Sequence, residues 1–570
     1  MRSALLLAAA VAVLAAGCAA PVERAARVEQ EAPAEREYYG TLEPFAAEAV
    51  YFLLTDRFVD GDPGNNFPEQ GGGPETRSFD RPMQVEGYAP ANVGYLGGDL
   101  KGVLDNAQYI ADMGFTAIWT TPIVDNPDEA FTGSRYPGRG PGGDRGKTGY
   151  HGYWGVDFFE VDEHLESDAL TFADFTRRLQ DEYGLKYVLD VVCNHGSPAW
   201  TMPQDQPMFG ELYDADGVLV ADHGNLHPGA LDDDNPLHAY FNREPGLAEL
   251  ADLNEDNPDV LEYFVAAYSQ WLEQGVAAFR IDTIAYMKHA YWKRFSDRIR
   301  AQRPGLFMFA EHFSYDATSI AEHTWPENGA ISVLDFPGRE AMNRVFADGA
   351  SYSELESYQH LESGLYQNPY ELMTFYDNHD MDRMDADSNG FIDANNWLFT
   401  SRGIPVVYYG SEIGFQAGTN EHTGNRNYLG QDAIDGAQTH AIHNALTRIA
   451  NVRRNSVALQ RGLQVNRLLG GNVAVFYRVY EKDDVAQTAL VVLNKSDQPA
   501  RFMATKYLSP GTWRDAMTGE VREVDAALPG LDVRVEPHGV RVLLQDAPVV
   551  NPRLASELDR LQATARRRTP

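Results

Sequence analysis

The feature that most constrains the fold is a series of short apolar runs that alternate with helical patterns from residue 48 onward. Most of these runs are continuously apolar, as expected for parallel strands covered on both faces of a sheet. Helical stretches such as 259–274 and 291–302 lie between them. Eight strand–helix units predict an α/β fold of the (β/α)8 TIM-barrel class. The predicted strands are 49–55, 115–120, 186–192, 277–282, 306–310, 331–336, 372–375 and 404–409.

Three further segments lie outside this pattern. The gap after the third strand is too long for one helix, so residues 196–254 are predicted to form an inserted subdomain, called domain B. The barrel then comprises 46–195 and 255–465. Short strands with turn residues over 466–546 predict a C-terminal antiparallel β-sandwich domain. The tail, 547–570, carries Leu554, Leu558 and Leu561 at helical spacing and is expected to pack weakly or fray.

The N-terminus has the pattern of an export signal. Residues 1–17 contain one charge, Arg2, and a mostly apolar run that is too short for a comfortable membrane span. The segment 14–18 resembles a bacterial lipobox, in which the cysteine, here Cys18, is lipidated. Residues 18–45 are predicted to be a tether. We therefore expect an exported bacterial lipoprotein, periplasmic or at the cell surface, with an ordinary cleaved signal peptide as the alternative.

Charge and cysteine content exclude several classes of function. Lys and Arg number 47 and Asp and Glu 83, which gives a net charge of −36. A nucleic-acid partner would need a basic face, so a neutral substrate is favoured. Two cysteines exclude a disulfide scaffold, and Cys193 is expected to be a small core residue. We expect a monomer that contacts the membrane only through a lipid anchor.

Polar side chains follow four of the predicted strands. The third strand ends in Asp-Val-Val-Cys-Asn-His, up to His195, and the fourth in Phe-Arg-Ile-Asp, up to Asp282. The fifth leads into Ala-Glu-His, with Glu311, and the seventh into Asp-Asn-His-Asp, with Asp380. One such Asp is usually a helix cap. Four such ends favour an active site, because catalytic groups of these barrels sit at the carboxyl ends of the strands.

Two carboxylates with different roles suit the cleavage of a glycosidic bond. Arg280 stands two residues before Asp282, on the same side of the strand, and would stabilise its negative charge. Glu311 follows the apolar run 307–310, which would keep its carboxyl protonated. For a retaining mechanism we expect the two carboxyls to lie roughly 5–5.5 Å apart.

The four strand ends resemble, in order, the four signature regions of the α-amylase family, glycoside hydrolase family 13. The resemblance covers about residues 50–544, is to bacterial α-amylases and cyclodextrin glucanotransferases, and includes the segment Tyr-His-Gly-Tyr-Trp at 150–154. It implies that Asp282 is the nucleophile, Glu311 the general acid/base and Asp380 a stabiliser of the transition state. It also implies substrate contacts from His151, Tyr153, His195, Arg280, His379 and Arg426.

The resemblance further implies bound Ca²⁺. Residues 55–66 resemble the calcium loop of cyclodextrin glucanotransferases, whose partner is a Gly-Gly-Asp turn, here 97–99. Six oxygens suit calcium, and they would come from Asp60, Asp62, Asn65, Asn66, the Gly97 carbonyl and Asp99.

The family has a second calcium site, and the resemblance implies that its ligands here are Asn194, Asp252 and the carbonyl of Tyr286, where the family has histidine. The Lys288-His289 pair comes later than in the family, so the sugar contact of that lysine does not transfer. Residues 385–396 have the acid spacing of an EF-hand loop but Asn396 at its last position. A metal site and a polar loop without metal are therefore two alternative interpretations of this segment.

Taken together, the sequence predicts a calcium-dependent retaining hydrolase of α-1,4 bonds in starch, maltodextrins or related α-glucans. Cyclomaltodextrinase or neopullulanase is one alternative, although such enzymes usually carry an additional N-terminal domain. Cyclodextrin glucanotransferase is another, although no starch-binding domain follows the β domain. An inactive glucan-binding lipoprotein is the non-enzyme alternative, which the three carboxylates disfavour.

Overall fold

The computed structural model describes residues 37–83, 91–133, 145–420 and 424–566. The signal segment and Cys18, with its predicted lipid, lie outside these ranges. Within them, no helix is long and apolar enough to cross a membrane.

Eight parallel strands form the central sheet, in the spatial order six, five, four, three, two, one, eight, seven. A parallel bridge between Leu334 and Met373 joins the sixth strand region to the seventh. This nearly closed ring confirms the predicted barrel. The strands are Val50–Leu53, Ala117–Thr120, Lys186–Val191, Ala278–Ile281, Phe307–Ala310, Ser332–Val333, Met373–Thr374 and Ile404–Tyr408.

Every residue in these eight strands except Lys186 is buried, because helices cover the outer face and side chains fill the interior. Cys193, just beyond the third strand, is a fully buried free thiol. The α-helices of the barrel region are Leu100–Asp105, Ala107–Asp112, Phe172–Tyr183, Pro258–Glu273, His289–Gln302, Ala317–Ala321, Phe336–Phe346, Ser388–Leu398, Gln431–Ala437, Ala441–Arg454 and Val457–Arg461.

The inserted region builds its sheet partly from residues outside 196–254. Two of its strands, Glu211–Tyr213 and Leu219–Asp222, continue a sheet that contains Asp157–Val161 and Val124–Asp125. The latter two strands precede the third barrel strand. A separate pair joins His195–Pro198 to Leu250–Asp252 and thus fixes the start of the insertion to its end. Pro82–Met83 pairs antiparallel with Ala91–Asn92 in a separate two-stranded sheet.

The C-terminal region contains two antiparallel sheets and begins at Leu463, slightly before the predicted boundary at 466. In spatial order the larger sheet contains Leu463–Gly470, Val473–Lys482, Val485–Asn494, Gly539–Gln545, Gly511–Asp515 and Val521–Val524. The smaller one pairs Ala500–Ala504 with Leu531–Val535.

Both ends of the described chain pack more tightly than expected. The tail forms the helix Pro552–Arg566, and its three leucines are at most 3% exposed, so the expectation of weak packing is wrong. The hydroxyl of Tyr38 donates to Asp559 at 2.9 Å, and the N–H of Tyr39 donates to Gln562 at 3.0 Å. Residues 37–45 were expected to belong to the tether, but Tyr38 is buried and pairs with Glu481. Tyr38 also shares an apolar cluster with Leu554 and Leu558 of the tail, which explains why the segment is packed.

Candidate active site

The carboxyl ends of the barrel strands open into a cleft of about 550 Å³. Asp282, Glu311 and Asp380 all line it. The cleft is also lined by five of the six side chains expected to bind sugar, namely His151, Tyr153, His195, His379 and Arg426. The sixth, Arg280, is fully buried in the fourth strand. The topology therefore gathers onto one rim residues that are far apart in the sequence.

Arg280 connects the two central carboxylates. Its Nη1 lies 2.9 Å from Oδ1 of Asp282, and its Nη2 lies 2.8 Å from Oε2 of Glu311. The three side chains are at most 7% exposed. Charge-assisted bonds of this kind fix geometry as well as charge. One guanidinium thus holds both carboxyls against the same part of the cleft.

Asp190, in the third strand, fixes Arg280 from the other side. Its Oδ1 accepts a hydrogen bond from Arg280 Nη1 at 2.7 Å, and its Oδ2 accepts from Trp119 Nε1 and the Tyr153 hydroxyl, both at 3.0 Å. The carboxyl is completely buried. Burial and the nearby Asp282 raise the pKa of Asp190 to about 7, while Arg280 opposes the shift. This role of Asp190 was not predicted from the sequence, although an acidic residue within an apolar strand indicates a buried polar contact.

Glu311 has the electrostatic setting of a general acid. Burial raises the pKa of its carboxyl well above the usual range, Arg280 opposes this, and the nearby Asp282 and Asp380 raise it further. Asp282 bonds the same guanidinium through Nη1. A carboxyl that keeps its proton can act as the donor while a neighbouring carboxylate acts as the nucleophile.

Asp380 also lines the cleft, where Arg426 and His379 hold its carboxyl. Arg426 Nη2 lies 2.7 Å from its Oδ1, and His379 Nε2 lies 3.1 Å from its Oδ2. Burial, Arg426 and Arg280 lower the pKa of His379 well below its usual value, so this ring is neutral. A neutral histidine can donate one hydrogen bond, to Asp380 or to a bound hydroxyl.

Aromatic rings form one wall of the cleft. The Tyr153 ring stacks on the His379 ring at 5.4 Å between centroids and 12° between planes. His151 is 6% and His195 2% exposed. Flat apolar faces of this kind suit the C–H faces of sugar rings. The cleft also contains residues that sequence reasoning did not assign, among them Lys147, Leu247, Ala248, Leu250, His312 and Phe313.

The predicted calcium loop contains buried oxygens that lack protein partners. The side-chain oxygens Asp60 Oδ1, Asn65 Oδ1 and Asn66 Oδ1 are buried and accept no hydrogen bond. A Cβ atom on Gly97, where φ is +90°, would collide with Asn66 Oδ1, so glycine allows the two segments to meet. Unsatisfied buried oxygens are costly, and a calcium ion would satisfy them. These residues therefore fit the ion.

Two acids of this loop already have backbone partners. Asp99 caps the helix Leu100–Asp105 and accepts from the N–H groups of Gly102, Asp62 and Gly61 at 2.6, 2.7 and 3.2 Å. Burial raises the pKa of Asp99 to about 6, against these hydrogen bonds. Asp62 Oδ1 accepts from Gly64 N at 3.0 Å.

The residues predicted to bind the second calcium ion fit it less completely. The backbone O of Asn194 accepts from Leu253 N at 2.9 Å, next to Asp252, so these residues lie on paired segments. Asp252 Oδ2 accepts from Asn242 Nδ2 at 2.8 Å. Neither side chain carries an orphaned buried oxygen in the described part of the chain. The Tyr286 side chain is 57% exposed, and its carbonyl as a ligand stays a prediction.

The EF-hand interpretation of 385–396 is wrong. Residues Ser388–Leu398 form a helix, and Asp387 caps it by accepting from Gly390 N at 2.9 Å. An EF-hand loop needs its ligands to wrap around one point, which a helix prevents. Asp393 instead pairs with His538, 2.7 Å away in the C-terminal region.

Comparisons with known proteins agree with this geometry. The catalytic-domain model of the α-amylases matches residues 52–454. A cyclomaltodextrin glucanotransferase of Klebsiella oxytoca is 29% identical over an alignment of 507 positions that covers 80% of this chain and 71% of that protein. An α-amylase of Niallia circulans is 28% identical over an alignment of 494 positions that covers 84% of this chain and 86% of that protein. The chain spans only 63% of the length of other glucanotransferases that it matches.

A solved structure is similar over nearly its whole length. The crystal structure of CldA, described as the first cyclomaltodextrin glucanotransferase with a three-domain ABC distribution, has a TM-score of 0.72 and 28% identity. The match covers 88% of this chain and 99% of that one. Since the family model spans well over half of the sequence, this chain belongs to the α-amylase family of glycoside hydrolases.

Proposed function

We propose that the protein hydrolyses α-1,4-glucosidic bonds in starch, maltodextrins or related α-glucans with retention of configuration. The observation that carries this proposal is the pair Asp282 and Glu311, both bonded to Arg280 on the floor of the cleft. A pair held by one guanidinium suits the short separation of a retaining enzyme better than the wider gap of an inverting one.

Asp282 attacks the anomeric carbon while Glu311 gives its proton to the leaving oxygen. The bond from the carbon to that oxygen breaks, and a covalent β-glucosyl-enzyme forms. Glu311, now ionised, then takes a proton from water, whose oxygen attacks the same carbon and releases Asp282. The product keeps the α configuration. The raised pKa of Glu311 supports its role as the proton donor.

The remaining side chains of the cleft position the sugar. Asp380, fixed by Arg426 and His379, would accept hydrogen bonds from sugar hydroxyls as the ring flattens toward the transition state. Tyr153 would stack on the sugar ring, and its contact with Asp190 keeps it in place. His151 and His195 complete the polar wall.

Calcium would act on structure rather than on the reaction. Asp60, Asp62, Asn65, Asn66, the Gly97 carbonyl and Asp99 would hold one ion, supported by the orphaned oxygens described above. Its chemistry is to neutralise the acids of the loop and to satisfy these oxygens. Asn194, Asp252 and Tyr286 would hold a second ion. For the exported chain, a lipid on Cys18 remains part of the proposal.

A second candidate function is transfer of the glucosyl group to a sugar hydroxyl, including ring closure to a cyclodextrin. Hydrolysis and transfer share the covalent intermediate and differ only in the acceptor. The domain content of the chain is compatible with this candidate, because a three-domain ABC glucanotransferase matches it over 99% of its own length.

Product analysis of the wild type and Asp282→Asn tests the proposal. Chromatography of products from starch, pullulan and cyclodextrin would report bond type and transfer, and NMR would report the anomer released first. We expect linear α-products from the wild type and almost none from Asp282→Asn. Asp297→Asn, in an exposed ion pair with Lys293 on the helix His289–Gln302, is the matched control. Equal activity of wild type and Asp282→Asn would refute the assigned nucleophile.

A further inference from the structure

Three histidines come together beside Glu311 without a role in the proposed reaction. His312 directly follows Glu311 and lines the cleft. Its Nδ1 lies 3.1 Å from Nε2 of His323, which belongs to the short 3-10 turn Glu322–Thr324 and is 3% exposed. The ring of His289, the first residue of the helix His289–Gln302, lies edge-on to His323 at 4.8 Å between centroids.

The contact between His312 and His323 has nearly the span of a metal chelate. Imidazole nitrogens bind zinc at about 2.0–2.1 Å, so two of them at a tetrahedral angle lie roughly 3.4 Å apart. Chelation would open the observed 3.1 Å by a few tenths of an ångström and turn both rings, because in the present hydrogen bond one nitrogen donates to the other. The three rings do not yet offer three nitrogens within 4.8 Å of one another. A third ligand therefore requires the His289 side chain to rotate.

The chemistry of the cluster suits a soft or intermediate cation. Burial, with His289 and His312 nearby, lowers the pKa of His323 to about 3, and burial also lowers the pKa of His312. The rings of His312 and His323 therefore favour the neutral form, which is the form that binds metals. Nδ1 of His323 is buried and has no hydrogen-bond partner. Neutral imidazoles favour Cu²⁺, Ni²⁺ and Zn²⁺ over Ca²⁺.

Two acids lie close enough to His312 to favour a cation there. Asp316 and Glu322 act electrostatically on its ring and oppose the lowering of its pKa. They flank the cluster from the segment that follows the fifth strand.

We propose that His312 and His323 chelate a divalent transition-metal ion, with His289 as the third ligand after rotation of its side chain. The ion would sit at the rim of the cleft, next to Glu311, and would obstruct the side on which the leaving sugar or the acceptor binds. The metal site is independent of the proposed function. Only its inhibitory effect rests on that function.

Metal binding is tested on the full chain with Cu²⁺ and Zn²⁺ as the probes, in a calcium-containing buffer without chelators. Calorimetric titration should show one site that weakens by at least about tenfold in His312→Gln and in His323→Gln. The electron paramagnetic resonance spectrum of bound Cu²⁺ should show splitting by two or more imidazole nitrogens, lost in both variants. His227→Gln, at an exposed histidine, is the control and should behave as the wild type.

Unchanged affinity and unchanged nitrogen splitting in both variants would overturn the site. Melting curves without metal show whether each variant folds. If His323→Gln is unfolded, the half-exposed His312→Gln decides, because its side chain borders solvent in the cleft.

Activity gives a separate readout. Zn²⁺ should inhibit release of reducing sugar by the wild type, and His323→Gln should resist it at the same Zn²⁺ concentration. Equal inhibition of both would refute inhibition through this site. A wild type that is inactive on every glucan would refute the proposed function, while the calorimetric and spectroscopic results would still decide the metal site.

Discussion

Replacement of Asp190 by Asn tests the assignment of the network beneath the cleft. The substitution keeps the shape of the side chain but removes its charge and replaces one acceptor by a donor. If the amide oxygen faces Arg280, the amide NH₂ faces the indole N–H of Trp119, which can only donate. The reverse orientation places NH₂ against the guanidinium. Either way, one buried donor loses its acceptor.

The magnitude follows from what Arg280 retains. Removing one partner of a buried ion pair costs about 3–5 kcal/mol when the remaining charge is left alone. Arg280 keeps its ion pairs with Asp282 and Glu311, so we expect a smaller loss, roughly 2–4 kcal/mol of unfolding free energy. Such a loss lowers the melting temperature by several degrees without unfolding the chain.

Activity should fall as well, because Arg280 positions both carboxyls. A displacement of about 1 Å at a reacting group can cost on the order of 10²-fold in rate, and we expect a decrease of kcat of about 10–100-fold. With less anionic charge around it, Arg280 would stabilise ionised Glu311 more strongly. The alkaline limb of the pH profile, where Glu311 loses its proton, should therefore move to lower pH.

The assay is reducing-sugar release from starch across pH, with thermal melting of the same samples. Asp174→Asn removes a carboxylate from an exposed ion pair with Arg177 and should change neither quantity measurably. An Asp190→Asn variant with wild-type kcat, pH profile and melting temperature would contradict the assigned role of the buried network.

Three other predictions concern separate parts of the molecule. Glu311→Gln should slow starch hydrolysis by on the order of 10³-fold but slow the first-turnover release of fluoride from α-glucosyl fluoride much less, because fluoride leaves without a proton. An equal loss in starch cleavage and in that first turnover would argue against Glu311 as the acid. Chelation of calcium should lower the melting temperature of the wild type more than that of Asn66→Ala, because the variant keeps only the second proposed site, and equal shifts would argue against the loop as a calcium site. Burial opposes the charged form of His538, but hydrogen bonds with Asp393 and Asp497 raise its pKa above 6.5. The stabilising charge is therefore present below about pH 6.5 and is lost as the pH rises through the raised value. Calorimetry should find His538→Gln more destabilising at pH 6 than at pH 9, and the opposite order would contradict the pairing.

The barrel could be predicted from the sequence because its strands are local signals. Each strand is a short apolar run, and each polar strand end is adjacent to its run, so Asp282, Glu311 and Asp380 were found without knowledge of contacts. The topology then supplied the one long-range fact that was needed, namely that carboxyl ends of parallel strands share a rim.

Features that depend on distant partners could not be predicted. The helix Ser388–Leu398 arises where local acid spacing suggested a metal loop, because the buried helix packs against the barrel and its Asp393 meets His538. The contact between His312 and His323 joins a strand end to a turn that carried no motif. The tail helix is stable only because Tyr38 and the C-terminal sheets cover its leucines.

The contacts between the two ends of the described chain have a consequence for the order of folding. Tyr38 and Asp559 are separated by 521 positions, and the first barrel strand pairs with the eighth, Val50 with Val406. During synthesis, about 350 further residues must therefore be made before the eighth strand can pair with the second edge of the first strand. Such non-local closure is entropically slow and leaves a strand edge open to wrong partners. The open barrel, rather than the unfolded chain, is thus the species in which we expect aggregation to compete with completion of the fold.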